Sequence, residues 1–386
     1  MSNYKRFNCI LLVTIFSPLL AIGLFNIVID PYGVMNTPSF IGVNQLKIAQ
    51  PRHVRLFKAV AITRIKPTTV LLGTSRAEFL DTKHPALGKN TNGYNLGLPG
   101  ANMYEVRRYL EHTLSNQPNL KEVVLEISFM MFDSHRKNRK DFRETRLEKK
   151  QIIEEDALNI IFSLDALEAS IKTINFNNNH TTVTNYYSDG GRNPEAIGKT
   201  DMLLEFKDLI KDASQKKSNN FQLSEEYIND FASIVHTCKQ RNINLEVFIS
   251  PVHITQMEEF RTAGLWPVFE DWKRRVSKVT PLWDFSGYNS ITTEPITKDM
   301  KNFTDSGHYT RKIGDLILNR LFHYQEEKVP DDFGIFITPT SIESHLEKIR
   351  TNQELWAKNN PKMIQLVEDL KRQGCSKNSC LENAAR

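Results

Sequence analysis

Between Cys9 and Ile29 the chain reads CILLVTIFSPLLAIGLFNIVI, 21 residues without a charge. As a helix rising 1.5 Å per residue this run reaches roughly 30 Å, the hydrocarbon thickness of a bilayer. Three readings fit: a membrane-spanning anchor, a cleaved signal sequence, or a buried core helix. The run exceeds the usual 7 to 15 residue apolar region of a signal peptide, and no A-x-A site closes it, which favours the anchor. Pro18 kinks such a helix without forbidding it. Lys5 and Arg6 precede the run and no basic cluster follows it closely. The positive-inside rule therefore places the N-terminus in the cytoplasm and everything after Asp30 outside, on the periplasmic or extracellular face.

The remainder has the make-up of a folding domain, with 40% hydrophobic and 25% charged residues over the whole chain. A net charge of +5 is too slight to imply a nucleic-acid partner. Residues 1–30 are read as the anchor, 31–67 as a linker rich in turn formers, 68–329 as the main domain and 330–386 as a helical tail. Short apolar runs at Thr68–Gly73, Glu122–Ile127 and Leu245–Ser250 read as buried strands. They alternate with helical patterns at Glu105–Ser115, Ser224–Gln240 and Arg311–Tyr324, as expected for an α/β fold with a mostly parallel sheet. An insertion at about 133–220 interrupts this domain. It opens with eight Lys and Arg residues between Arg136 and Lys150, a solvated helix face or a contact for anionic lipid or glycan. Cys238 reads as a buried thiol, whereas Cys375 and Cys380 are close enough in the tail to form a disulfide in an oxidising compartment.

No Walker loop, G-x-G-x-x-G, H-E-x-x-H or C-x-x-C is present, so no nucleotide cofactor or metal is expected. What remains is a serine. Ser75 follows a strand and a glycine in Val70-Leu71-Leu72-Gly73-Thr74-Ser75-Arg76, the edge where open α/β sheets place ligands. A nucleophile is useful there, and so is a helix-capping serine. Asp305 and His308 share one short loop, spaced so that a carboxylate can orient an imidazole; a capping Asp beside a surface His is the plainer alternative. Gly97 and Gly100, in Asn95-Leu96-Gly97-Leu98-Pro99-Gly100-Ala101-Asn102, allow close backbone approach to a ligand, with the Gly100 N–H as a second oxyanion donor. Arg76, Arg192 in the turn-rich stretch Asn185–Asn193, and His253 after the third strand are candidates for binding substrate.

In this order the three blocks resemble the SGNH (GDSL-like) hydrolase superfamily: Gly73-Thr74-Ser75-Arg76, then Asn95-x-Gly97-x-x-Gly100, then Asp305-x-x-His308. The resemblance implies a flavodoxin-like three-layer α/β/α sandwich, Ser75 as nucleophile, His308 as base, Asp305 as its orienting acid, and the Ser75 and Gly100 amides as the oxyanion hole. It departs at the third block, where the superfamily's Asn is replaced by Leu125-Glu126-Ile127-Ser128-Phe129, leaving Ser128 or Asn102 as the third donor. With its N-terminal anchor the chain is most similar in layout to the cell-envelope branch that works beside membrane-bound O-acyltransferases in D-alanylation or polysaccharide acetylation. The expected function is an exported serine esterase or O-acyltransferase acting on an acylated envelope glycan. The alternative is a non-catalytic scaffold or glycan-binding partner of a membrane-bound O-acyltransferase.

Overall fold

In a computed structural model of the chain, which describes residues 2–88, 91–180, 182–197 and 221–375, a six-stranded sheet carries the site. The strands are β1 (Thr69–Gly73), β2 (Gly93–Gly97), β3 (Glu122–Ile127), β4 (Asn244–Ile249), β5 (Leu282–Asp284) and β6 (Ile335–Ile337), in the order β2-β1-β3-β4-β5-β6. The first five are parallel, and β6 pairs antiparallel with β5. Among the described residues the longer helices are α1 (Ser2–Ile29), α2 (Val54–Ile65), α3 (Met103–Asn116), α4 (Glu154–Phe162), α5 (Leu164–Asn179) and α6 (Glu225–Gln240). They continue with α7 (Ile254–Thr262), α8 (Trp266–Val279), α9 (Arg311–Leu321), α10 (Ile342–Asn359) and α11 (Pro361–Cys375).

The alternation of side chains along a strand explains the core. Val70, Leu72, Val123, Leu125, Val247 and Ile249 enter one apolar cluster with α2, α3, α6 and α8. The residues between them, Leu71, Val124 and Phe248, enter a second cluster with α9. Central parallel strands buried in this way are apolar at most positions, and β1 is buried throughout.

Several segments depart from the expected layout. The stretch 31–67, read as a linker, contributes α2, whose residues Val54–Ile62 are all buried. β2 was hidden by its composition, GYNLG, and forms because β1 offers it a ladder from Thr69↔Gly93 to Gly73↔Gly97. The tail does not merely append helices, since it supplies β6. α10 is tied to the domain by His345 Nε2, 2.7 Å from Asp284 Oδ2, the oxygen that also receives the buried Lys273 ammonium at 2.5 Å. Cys380, and with it the expected Cys375–Cys380 pair, lies outside the described residues.

α1 is long and apolar enough to cross a membrane, and its side chains from Tyr4 to Ala21 are exposed, which removes the buried-core-helix reading. Only its last turns, at Gly23, Asn26 and Ile29, are buried.

Burial alone would push the Asp284 carboxyl up, but Lys273 and His345 outweigh it and hold it well below the ordinary aspartate range. Asp284→Ala leaves Lys273 buried without its counter-charge, and we expect a loss of about 3–5 kcal/mol of unfolding free energy. Urea denaturation measures this; a loss under about 1 kcal/mol would contradict the role given to the pair.

Candidate active site

The site forms where β1, β3 and β4 end. Gly73 closes β1 against Glu126 of β3 so tightly that a Cβ at Gly73 would lie 2.6 Å from Glu126 Oε2 and 2.9 Å from its backbone oxygen. That contact excludes any side chain at Gly73. Glu126 is fully buried. Its Oε2 accepts from the Thr74 N–H at 2.7 Å and the Thr74 hydroxyl at 2.8 Å, and its Oε1 accepts from the Ser250 hydroxyl at 2.8 Å. The next residue, Ser75, is thereby lifted above the sheet edge. The helix expected after it is a single turn, Ala77–Phe79.

Ser75 Oγ lies 2.7 Å from His308 Nε2, and His308 Nδ1 lies 2.7 Å from Asp305 Oδ2. The other Asp305 oxygen accepts from the Gly307 and His308 N–H groups at 2.7 and 2.8 Å. Burial pushes the Asp305 carboxyl up, but the neighbouring imidazole and these hydrogen bonds prevail and hold it below its ordinary value. The loop bearing both residues is clamped. A bridge joins Phe303 to Tyr309, Ser306 O accepts from the His253 N–H at 3.0 Å, and Gly307 O accepts from Arg76 Nε at 2.6 Å. Sequence spacing put Asp305 and His308 side by side; the fold brings Ser75 to them across 233 positions of chain.

Gly100 follows β2 with φ +66°, a left-handed conformation that glycine tolerates best. Leu98 N–H donates to Gly73 O at 2.9 Å, so the loop carrying Gly100 is stitched to the nucleophile turn. Neither the Ser75 nor the Gly100 N–H donates to another described residue. The two candidates for a third donor separate. Ser128 lines a narrow cleft with Arg76, Met130, Ser250, Gln256 and Phe260. Asn102 does not face a substrate: its Oδ1 caps α3 at Glu105 N, and its Nδ2 serves Arg136 O, Asn138 Oδ1 and Tyr227 OH.

The substrate-binding candidates divide in the same way. Arg76 borders the cleft, ties the Ser75 turn to the His308 loop through Gly307 O, and reaches α7 through Gln256 Oε1. Arg192 stacks on Tyr186 at 4.9 Å, donates its N–H to Glu78 O, and contacts neither Ser75 nor His308. His253 is fully buried, with Nδ1 at Thr255 Oγ1 and Nε2 at Glu294 O, so it is a strut of the His308 loop and does not reach substrate.

The basic run is a loop more than a helix face, and its arginines are structural. Arg146 is buried on Asp156, Arg143 pairs with Glu155, and Arg136 holds Gly100 O at 3.0 Å and Met130 O at 3.3 Å. The Arg139 guanidinium lies against Gly100, where a Cβ would come within 3.3 Å of it. Among the described residues none of the Arg76, Arg136 and Arg139 side chains is paired with a carboxylate, a cluster that sequence spacing did not reveal.

No family model matches the chain, and no curated protein is significantly similar to it in sequence.

Burial holds the His253 imidazole down at about 4 against an ordinary 6.5. In acid the unfolded chain takes up a proton that the folded chain refuses, so stability is full above about pH 6.5 and falls as the pH drops toward 4. The shift corresponds to roughly 3 kcal/mol. His253→Gln should flatten this part of the stability–pH profile, measured by chemical denaturation across that range; an unchanged slope would assign it to other groups.

Proposed function

We propose that the protein is an SGNH-type serine hydrolase or O-acyltransferase, anchored by α1 with its main domain outside the cytoplasm, acting on acyl esters of a cell-envelope glycan. One observation carries the reading: the unbroken chain of two 2.7 Å hydrogen bonds from Ser75 through His308 to Asp305. The sheet order lends support, because 2-1-3-4-5 is a common order of flavodoxin-like folds, which bind ligands at the carboxyl ends of their strands.

With the neutral imidazole protonated on Nδ1, Ser75 Oγ attacks the acyl carbonyl carbon and its proton passes to His308 Nε2. Asp305 stabilises the imidazolium. The Ser75 and Gly100 N–H groups receive the oxyanion, and collapse returns the proton to the departing alcohol, leaving acyl-Ser75. A second acceptor, water or a sugar hydroxyl, loses its proton to His308 as it attacks acyl-Ser75 and takes the acyl group, and His308 returns that proton to the departing Ser75 Oγ. With no Asn in the third block, turnover is expected on the order of 100- to 1000-fold below that of a site with three donors. Arg76, Arg136 and Arg139 act over a longer range on the same developing charge and favour an anionic glycan over a neutral one.

The non-catalytic reading, a scaffold or glycan-binding partner for a membrane-bound O-acyltransferase, is favoured by one feature: Asn102 is consumed as a helix cap. A fluorophosphonate probe on the detergent-solubilised full chain separates the two. Labelling that Ser75→Ala and His308→Ala both abolish is expected. Absent labelling with retained glycan binding selects the scaffold, and undiminished labelling of Ser75→Ala sinks the assignment. Asp305→Asn should slow acylation by on the order of 10⁴-fold, because it loses the correct imidazole tautomer.

A further inference from the structure

The exposed apolar surface of this protein is concentrated around one helix end. Beyond α1 itself, the large exposed apolar side chains are Phe40, Ile41, Leu158, Phe162, Leu164, Ile171 and Phe176; among the described residues only Tyr187, Phe336 and Leu355 lie elsewhere. The first seven sit on two segments folded against the end of α1. Asn44 Nδ2 reaches the Val28 and Ile29 carbonyls at 3.3 Å, which seats the loop bearing Phe40 and Ile41. The consecutive helices α4 and α5, joined at Ser163, seat themselves through Asn26, whose Nδ2 donates to Ile161 O at 2.9 Å and whose Oδ1 accepts from Ser170 Oγ at 2.8 Å.

The direction of this helical hairpin follows from its contacts. Gly23 meets the Phe162 ring, where a Cβ would lie 2.7 Å from Cε1, whereas Asn177, near the far end of α5, holds the backbone of Leu46. The tip, Phe162-Ser163-Leu164, therefore points back along α1 toward its exposed apolar length. The uncharged part of that length, Phe7 to Leu24, spans about 27 Å as a helix, most of one hydrocarbon thickness. The tip thus lies level with the outer end of the spanning stretch. Leu164 is 76% exposed and Leu158 59% exposed, with Leu158 one helical turn from Phe162 on the same side of α4. No basic residue lies between Gln151 and Ile171, so attraction to anionic lipid does not account for the tip.

We propose that the α4–α5 hairpin seats the domain on the bilayer, with Leu158, Phe162 and Leu164 inserted at the boundary between headgroups and acyl chains. The ligand is a lipid surface, held by apolar burial. This rests on α1 crossing that bilayer. A rod that spans the membrane leaves the attached domain free to tilt and turn; a second apolar contact beside it fixes the height and facing of Ser75.

The test uses the full chain in phosphatidylcholine vesicles whose lipids are brominated near the head of the acyl chain, comparing Leu164→Trp, Leu12→Trp and Leu355→Trp with the parent protein. Leu164 is solvent-exposed, so the replacement leaves the core intact. The added Trp at Leu164 is expected to lose fluorescence to the bromines, in low and high salt alike, while that at Leu355 does not. Quenching at Leu12 without quenching at Leu164 overturns the proposal and leaves the anchor standing; a protein partner covering the tip gives that same result. Quenching at neither overturns both. Quenching at Leu164 that disappears in high salt replaces apolar insertion by electrostatic attachment and also overturns it.

Discussion

The buried carboxylate of Glu126 is the interaction on which the site depends. A charge removed from water is costly unless donors surround it, and Glu126 is given three: the Thr74 N–H and hydroxyl and the Ser250 hydroxyl. Those donors stand at the ends of β1 and β4 on either side of β3, so one side chain fastens three strand ends together. Gly73 is the steric counterpart, because any side chain there would occupy the space the carboxylate needs. Ser75 stays half-buried, within reach of His308, because the two residues before it are held down.

A second set of contacts makes the partner loop equally rigid. The loop with Asp305 and His308 has little apolar surface of its own, and its position is set by polar struts: the His253 N–H from the β4 side and the Arg76 guanidinium from the β1 side. Arg76 therefore links the Ser75 turn and the His308 loop directly, and its charge is satisfied by carbonyl oxygens alone. The same is true of Arg136. Positive charge that is anchored but not neutralised collects beside Gly100, and under the proposed hydrolytic function such preorganised charge would need no rearrangement when the transition state forms.

The domain and α1 are joined by the same kind of contact. The last turns of α1 are part of the domain through Gly23, Asn26 and Ile29, and Asp30 receives the N–H groups of Val34 and Met35 at 2.7 and 3.1 Å. The chain leaves α1 in a folded turn, so the stretch after the helix is no flexible tether.

The sequence by itself determined the α/β class, the strands β1, β3 and β4 at the centre of the sheet, the apolar helix, and the local pairing of Asp305 with His308. Each follows from short-range rules: the period of apolar residues, the length of an uncharged run, the reach of two side chains three positions apart. It did not disclose β2, β5 and β6, which are too short or too polar to read as strands and exist because a neighbour supplies the ladder. It also left Arg76, His253 and Asn102 with interchangeable prospects, since an isolated polar side chain carries no record of what it will meet. Only the tertiary structure decided that His253 and Asn102 are consumed inside the fold, that Glu126 stands beneath the nucleophile turn, and that Ser75 reaches His308. The reason is distance along the chain. These contacts join segments tens to hundreds of residues apart, and the register of the parallel sheet, set by the whole core, chooses among them.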